Sequence, residues 1–353
     1  MNIFEETIHE IKTSPYPLVI YGAGWVGRVM YMYLKKNDAD IYGFAVDQDY
    51  LPENRCLDGL TVYDIEELLK TGRYNVLLAF VGSHDDKINE LGKHTNVNKC
   101  YQIDFVGKNA AGWDGQMYDS FLKENETVLN KLREDLSDEA SKKALDEFIR
   151  QRNTGVFYKP YSHKPEYFDD EIISLSENEV FIDCGAYDGD SIRGFCNALK
   201  EKGISGYKKI YAFEADAGNA RRLEENLSGL EDVQLIVKGV YDQVCTLYFS
   251  ESGTMGSMVT EEGTEIETTT IDEAVGDEKV TFIKMDIEGS ELRALKGAEK
   301  TIRRCRPKLA ICVYHRVEDL VTIPQYIQSL RPDYKLFYRN YCQLGLEAII
   351  YAV

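Results

Sequence analysis

The sequence predicts an α/β protein with two parallel sheets, because short apolar runs alternate with amphipathic helical segments in two separate parts of the chain. The first series lies in residues 1–115 and the second in residues 171–353. Between them, residues 116–170 have apolar side chains at helical spacing and then a stretch rich in Tyr, Pro and His. We therefore predict a small N-terminal α/β domain, a helical connector with a loop that folds over the next domain's crevice, and a C-terminal α/β domain.

The N-terminal strands are predicted at residues 18–21, 41–46 and 76–80, after which the series ends. The connector is predicted to form two helices that break near Ser137-Asp138, where Ser137 would cap the second helix.

The C-terminal domain is predicted to be a parallel sheet that ends in an antiparallel hairpin, because a short turn joins its last two apolar runs. The predicted strands are residues 180–183, 210–214, 233–237, 281–286, 309–314, 334–339 and 346–352.

Composition limits the partners and the location. Sixty acidic and 41 basic residues give a net charge of −19, which would repel nucleic-acid phosphates. The eight cysteines show neither C-x-x-C pairs nor zinc-ligand spacing, so reduced thiols are expected. No run approaches the roughly 18 apolar residues of a membrane span, and the N-terminus lacks a signal-peptide core. We predict a cytoplasmic protein with no membrane span, no nucleic-acid partner and no metal site recognisable from sequence.

The segment Asp183–Gly189 is the most informative stretch. It follows the apolar run Val180–Ile182 and precedes an amphipathic helical segment. A strand that ends in an acidic residue, followed by a glycine turn and a helix, forms a ligand crevice in doubly wound sheets. Glycines allow close backbone approach to a ligand, and the helix start offers free N–H groups. The predicted ligand-binding residues are Asp183, Gly185, Ala186, Tyr187 and Gly189.

A second acidic strand end follows at Glu214, after the apolar residues Ile210–Phe213. Carboxylates on adjacent strand ends suit a ligand that has both a ribose and a positively charged group. S-adenosylmethionine (SAM) has both, and we predict it as the cofactor.

The segment Phe282–Gly289 places three charged residues, Lys284, Asp286 and Glu288, on one face of a predicted central strand. Such strands are normally apolar on both faces, so the charges must be paired or open onto a cleft. One interpretation is an ion pair of Lys284 with Asp286 or Glu288. We favour the other, in which Asp286 and Glu288 line an active site at the end of the strand.

Together, Asp183-x-Gly185-Ala186-x-x-Gly189, Glu214 and Lys284-x-Asp286-Ile287-Glu288-Gly289 resemble the FkbM family of SAM-dependent methyltransferases. The resemblance covers roughly residues 167–353. It implies a class I methyltransferase fold, which is Rossmann-like and ends in an antiparallel hairpin, and O-methylation of sugar or polyketide hydroxyls.

The resemblance also implies roles for individual residues. Gly185 and Ala186 would lie under the methionine part of SAM, held by Asp183, and Glu214 would accept hydrogen bonds from the ribose hydroxyls. Val240 and Tyr241 would line the adenine pocket, and Asp286 would lie beside the sulfonium and the incoming hydroxyl.

Two residues are candidates for the catalytic base, Asp286 and His315. His315 follows the apolar strand Ile311–Tyr314, whose end should lie next to that of the Asp286 strand. The pair could instead hold a divalent ion, and a histidine after a strand can also be purely structural.

The N-terminal domain carries a complete G-x-G-x-x-G, at Gly22, Gly24 and Gly27, between a predicted strand and a helix. Asp47 lies about 20 residues further on, where NAD-binding proteins place their ribose acid. The short strand series has no recognisable dehydrogenase half, and the segment also resembles Rossmann-like modules of nucleotide-sugar-modifying proteins. A nucleotide or nucleotide-sugar site and a docking module both remain open.

We predict a SAM-dependent O-methyltransferase that acts on a hydroxyl of a saccharide or related metabolite. The alternatives are an NAD-dependent oxidoreductase that uses the N-terminal glycine motif, and a non-catalytic SAM- or nucleotide-sugar-binding protein of a glycan pathway. The expected partner is a small-molecule or glycan acceptor, and a homo-oligomer is compatible with the sequence.

Overall fold

The computed structural model describes residues 3–80, 84–104, 115–157, 162–249, 259–260 and 264–353. The chain forms two compact units. The first comprises Met1–Glu124, Asp146–Tyr161 and Cys342–Leu346; the second comprises Asn125–Leu145, Ser162–Tyr341 and Glu347–Val353. The predicted domain boundaries at residues 115 and 170 stay a prediction.

The first unit is built on a six-stranded sheet with the strand order β3-β4-β2-β1-β5-β6, in which only the β3–β4 pair is antiparallel. Its strands are β1 Leu18–Tyr21, β2 Gly43–Val46, β3 Cys56–Leu57, β4 Leu60–Asp64, β5 Tyr74–Leu78 and β6 Val97–Tyr101. Its helices are α1 Ile3–Thr13, α2 Trp25–Lys36, the 3-10 turn Gln48–Tyr50, α3 Ile65–Leu69, α4 His84–Leu91 and α5 Gly115–Glu124.

The prediction that this sheet ends after about three strands was wrong. Strands β4 and β6 lie toward the sheet's edges and include exposed polar residues, so they lack a continuous apolar run. The central strands β1 and β5 are buried throughout, which is why the sequence identifies them.

The connector contains α6 Glu126–Asp135 and α7 Glu139–Thr154, with the predicted break between them. The residue that caps α7 is Asp138 and not the predicted Ser137: the N–H of Ser141 donates to Asp138 Oδ1 at 2.7 Å. The N–H of Ser137 instead donates to the carbonyl of Leu336. Asp138 also pairs with Arg339 at 2.8 Å.

The second unit contains a seven-stranded sheet with the order β16-β17-β15-β14-β7-β8-β9. Strand β17 is antiparallel to β15 and β16, and the other pairs are parallel, so the predicted terminal hairpin is confirmed. Its strands are β7 Val180–Cys184, β8 Lys209–Phe213, β9 Val233–Ile236, β14 Phe282–Met285, β15 Lys308–Cys312, β16 Leu336–Asn340 and β17 Ala348–Ala352. A small second sheet contains β10 Gly239–Val240, β11 Thr246–Phe249, β12 Val259–Thr260 and β13 Thr264–Thr269. The helices of the second unit are α8 Asp190–Glu201, α9 Ala217–Leu227, α10 Ile271–Val275, α11 Glu291–Lys296, α12 Glu299–Cys305 and α13 Asp319–Leu330.

An aromatic cluster packs α8 and the segment before β7 against this sheet. Phe181 stacks on Phe195 with ring centroids 4.7 Å apart, and Phe168 lies edge-on to Phe282 at 5.8 Å. Pairs of this kind contribute about 0.5–1.5 kcal/mol each beyond the area they bury. The cluster fixes the strands whose ends form the site described below.

Among the described residues, no helix combines the length and the apolar content needed to span a bilayer.

Candidate active site

Four parallel strands of the second unit end at the same level. Cys184 at the end of β7 is in register with Phe213 of β8 and with Met285 of β14, and Met285 is in register with Ile311 of β15. The loops that begin at Gly185, Glu214 and Asp286 therefore emerge side by side at the carboxyl edge of the sheet. This edge is where open α/β sheets bind their ligands.

The loop after β7 is wound tightly around Gly185. Gly185 has φ +82°, and a Cβ at this position would lie 1.9 Å from the carbonyl oxygen of Asp286. The N–H groups of Gly185 and Ala186 both donate to the carbonyl of Phe213, at 3.0 and 2.9 Å. Only glycine fits here, because the loop contacts the backbone of the next strand end directly. The second predicted glycine, Gly189, has φ +88° and begins α8.

Asp183 is fully buried and faces the protein interior. Its Oδ1 lies 3.0 Å from Lys284 Nζ, and its Oδ2 accepts a hydrogen bond from the Ser191 hydroxyl. Lys284 in turn donates to the carbonyl of Gly185 at 2.8 Å. Asp183 thus holds the glycine loop through Lys284, and its position supports an indirect role toward a ligand.

The ion pair predicted for Lys284 has a different partner from those weighed in the sequence. Lys284 is in register with Asp183 on the neighbouring strand, and β14 ends at Met285, before Asp286 and Glu288. Burial opposes the charge on Lys284, but the carboxylates of Asp183 and Asp286 outweigh it and raise the lysine's pKa. Lys284 is therefore charged at neutral pH and compensates the carboxylates around it.

Glu214 lies at the end of β8 with its carboxylate nearly buried. Its Oε2 accepts the N–H of Tyr187 at 2.8 Å, and its Oε1 accepts the N–H of Asp216 at 2.9 Å. Burial raises the pKa of Glu214, and these two backbone donors act in the opposite direction. Each oxygen keeps capacity for a further donor, as a pair of ligand hydroxyls requires.

Val240 and Tyr241 follow β9, at the small second sheet. Val240 is buried, and the N–H of Tyr241 donates to the carbonyl of Thr269 at 2.9 Å. The guanidinium of Arg293 lies over the Tyr241 ring, 5.6 Å from its centroid. These contacts fix both residues on the β10–β13 pair.

Asp286 is held by two tyrosines that the sequence motifs do not include. The hydroxyl of Tyr167 donates to Asp286 Oδ2 at 2.8 Å, and that of Tyr314 donates to Oδ1 at 3.2 Å. Burial would raise the pKa of Asp286, but His315, Lys284 and the two hydroxyls lower it. The carboxylate is therefore ionised. Tyr167 belongs to the Tyr- and Pro-rich stretch predicted to fold over the crevice, of which residues 158–161 lie outside the described part of the chain.

His315 lies among three carboxylates. Its Nδ1 is 2.9 Å from Glu291 Oε1, and its Nε2 is 3.4 Å from Asp286 Oδ1 and 3.5 Å from Glu288 Oε2. Burial alone would lower the pKa of His315, but Glu291, Asp286 and Glu288 raise it to about 10. An imidazolium cannot accept a proton, so Asp286 is the better supported of the two predicted bases.

Two further carboxylates, which the sequence analysis missed, lie near Asp286. Burial raises the pKa of Glu166 to about 8, and the neighbouring Glu347 and Asp286 add to the effect. Burial and Asp286 also raise the pKa of Glu347. Their positions 120 residues before and 61 after Asp286 carry no local signal that would relate them to it. The site is thus strongly acidic.

The N-terminal glycine motif has a packing explanation at two of its three positions. A Cβ on Gly22, which has φ +125°, would lie 2.2 Å from the carbonyl oxygen of Ala79, and one on Gly27 would lie 2.0 Å from that of Gly22. A Cβ on Gly24 would meet no described atom within 4 Å. Asp47 accepts a hydrogen bond from the Tyr21 hydroxyl and pairs with Lys87 at 3.2 Å. These internal contacts account for most of the motif without a ligand.

The strand order of the second unit, with its antiparallel β17 inserted between β15 and β16, defines a class I methyltransferase fold. Residues 183–335 match the family model of the methyltransferase FkbM domain. The C-terminal half of the chain is thus an FkbM-type methyltransferase domain, as the sequence motifs predicted.

Three solved structures are similar to the chain, and the first of them shares its fold over almost the whole length. The methyltransferase FkbM of Methylobacillus flagellatus is 22% identical, with a TM-score of 0.74 over 99% of this chain and 93% of its own. A putative methyltransferase of Streptococcus mutans, solved in complex with SAH, is 16% identical over 53% of this chain and 94% of its own, with a TM-score of 0.34. Aeropyrum pernix fibrillarin with natively bound S-adenosyl-L-methionine is 14% identical over 52% and 70%, with a TM-score of 0.33. No curated protein matches the chain.

Proposed function

We propose that the protein is a SAM-dependent O-methyltransferase that acts on a hydroxyl of a saccharide or a related metabolite. The observation that carries the proposal is the Asp286 carboxylate, held by Tyr167 and Tyr314 directly beside the glycine loop of an FkbM-type domain. The saccharide class rests on the family resemblance of the motifs.

The residues at the carboxyl edge fit SAM. Glu214 has one backbone donor on each oxygen and would accept the ribose hydroxyls. The loop at Gly185 and Ala186 would pass beneath the methionine part, and Gly189 begins the following helix. Val240 and Tyr241 would line the adenine pocket. Asp286, which follows β14, would face the sulfonium.

When bound, SAM supplies a methyl group already activated on a sulfonium. Asp286 would orient the acceptor hydroxyl and would take its proton as the acceptor oxygen receives the methyl group, with the electron pair of the broken carbon–sulfur bond left on sulfur. Orientation can supply up to ~7–11 kcal/mol of rate acceleration, and a positioned base roughly 10²–10⁴-fold.

Methyl transfer from labelled SAM to a panel of glycans and nucleotide sugars tests the proposal. We expect Asp286→Asn still to bind SAM and to lose transfer by roughly 10²-fold or more, because Asn cannot take the proton. Asp277→Asn, a fully exposed aspartate in the same unit, is the matched control and should transfer normally. Unchanged transfer by Asp286→Asn would remove Asp286 from the mechanism, and SAM binding with no transfer to any acceptor would favour the non-catalytic alternative.

We also propose that the protein is cytoplasmic, that its domain boundaries lie at residues 115 and 170, and that it forms a homo-oligomer. A nucleotide or nucleotide-sugar site at Gly22, Gly24, Gly27 and Asp47 is the less supported part, because Asp47 is already bonded to Tyr21 and Lys87.

A further inference from the structure

The group around His315 has buried polar atoms that the protein does not satisfy. The side chain of His315 is only 8% exposed, and its Nε2 makes no hydrogen bond with a described residue. Oε2 of the fully buried Glu291 likewise accepts no hydrogen bond from the described residues. Buried polar atoms are normally paired, so this concentration of unpaired atoms points to a ligand.

The two carboxylate oxygens nearest His315 Nε2 lie at distances from it that fit neighbouring ligands of one metal ion. Metal–ligand bonds of 2.0–2.2 Å place neighbouring donor atoms roughly 3.0–3.5 Å apart. His315 Nε2 lies 3.4 Å from Asp286 Oδ1 and 3.5 Å from Glu288 Oε2. Ligand atoms of Asp286, Glu291 and His315 also lie within 4.8 Å of one another.

The two ring nitrogens of His315 face different carboxylates, which therefore have different roles. Glu291 is fully buried and faces Nδ1 at 2.9 Å, the position of a carboxylate that orients a metal-bound histidine. Glu288 is 40% exposed and faces Nε2, so it lies on the accessible side together with Asp286. Glu288 has φ +55° and precedes Gly289 at φ +88°, so an unusual turn places its carboxylate there.

We propose that His315 Nε2, Asp286 and Glu288 bind a divalent cation, with Glu291 fixing the imidazole ring. One nitrogen and two carboxylate ligands suit an ion such as Mn²⁺, which accepts both donor types and leaves positions open for oxygen ligands. The charge balance agrees, because two carboxylates compensate a divalent ion once His315 binds as neutral imidazole.

A bound ion would make the acceptor hydroxyl more acidic, which the carboxylate of Asp286 alone does not do. A carboxylate is a weak base toward an aliphatic hydroxyl, and a metal ion lowers the pKa of an oxygen that it coordinates. With the acceptor hydroxyl on the ion, its proton can pass to the second oxygen of Asp286. This role rests on the proposed function, whereas the ion site itself does not.

Titration of the EDTA-treated full-length protein with Mn²⁺, followed by the electron paramagnetic resonance signal of free Mn²⁺, tests the site. We expect one Mn²⁺ per chain, and at least tenfold weaker binding in Glu288→Gln and His315→Gln. Glu347→Gln is the matched control: it removes a carboxyl group near Asp286 without removing a proposed ligand, and should change the affinity less than threefold.

Absence of stoichiometric Mn²⁺ binding would overturn the proposal, as would equal effects of Glu288→Gln and Glu347→Gln. Glu288→Gln decides the question if His315→Gln does not fold, because Glu288 is partly exposed. The titration uses neither SAM nor an acceptor. Mn²⁺ binding without SAM binding would therefore uphold the metal site and reject the proposed function. SAM binding without Mn²⁺ binding would reject the metal site alone.

Discussion

Gly185 couples two strand ends through direct backbone contact. The distance of 1.9 Å between a Cβ on this residue and the carbonyl oxygen of Asp286 leaves no space for any side chain. The same contact sets how close the glycine loop lies to the proposed base. A substitution here should therefore affect both the stability of the fold and the geometry of the site.

We predict that Gly185→Ala lowers the free energy of unfolding by more than the cost of a left-handed residue alone, which is about 1–2 kcal/mol. Gly203→Ala provides the control, because Gly203 also has positive φ, +69°, but a Cβ there meets no described atom within 4 Å. Urea denaturation compares the two variants. Equal losses would show that the contact with Asp286 has no energetic consequence.

The buried carboxyl group of Asp319 should make the free energy of unfolding depend on pH. It is 2% exposed, and burial together with Glu291 and Glu318 raises its pKa to about 8. An unfolded aspartate has a pKa of about 3.9, so between these values the folded protein holds a proton that the unfolded chain has lost. The free energy of unfolding should therefore fall as the pH rises from about 4 to about 8.

Asp319→Asn cannot ionise and should show a smaller decline over that range, measured by denaturation at several pH values. Its amide oxygen can still accept the N–H of Arg316, which Asp319 accepts at 3.1 Å. Asp277→Asn, at a fully exposed position, should leave the slope unchanged. Parallel curves for Asp319→Asn and the unsubstituted protein would refute the assignment.

At the scale of elements, apolar runs located the buried strands but not their register. The pattern of Lys284, Asp286 and Glu288 identified the strand end that forms the site. It could not show that Lys284 pairs with Asp183, because the partner is set by the register of β14 on β7. Tyr167 and Glu291 were missed as partners of Asp286 and His315 for a similar reason: only the folded chain brings them together.

The start of α7 gives a test at this scale. Asp138→Ala removes both the cap on Ser141 and the ion pair with Arg339, and should cost about 1–2 kcal/mol of unfolding free energy. Ser137→Ala should change it by less than about 0.5 kcal/mol, because that residue contributes its backbone N–H and not its side chain to the described contact. Thermal or urea unfolding measures both, and a larger loss in Ser137→Ala would reverse the assignment of the cap.

For the whole molecule, the C-terminal fold was predictable because its motifs lie at the ends of buried, apolar strands and the closing hairpin has a clear pattern. The N-terminal sheet was underestimated because its outer strands are partly polar. The complete glycine motif at Gly22, Gly24 and Gly27 was ambiguous in sequence, since a glycine needed for backbone packing looks the same as one needed for a ligand.

We propose that the FkbM-type unit binds SAM through Glu214 and the Gly185 loop, and the proposed methyl transfer depends on that binding. Isothermal titration of the full-length protein with SAM and, separately, with NAD measures it. We predict that SAM binds with one site per chain, that Glu214→Gln weakens this binding at least tenfold, and that Asp47→Asn leaves it unchanged. Binding of NAD without binding of SAM would contradict the account.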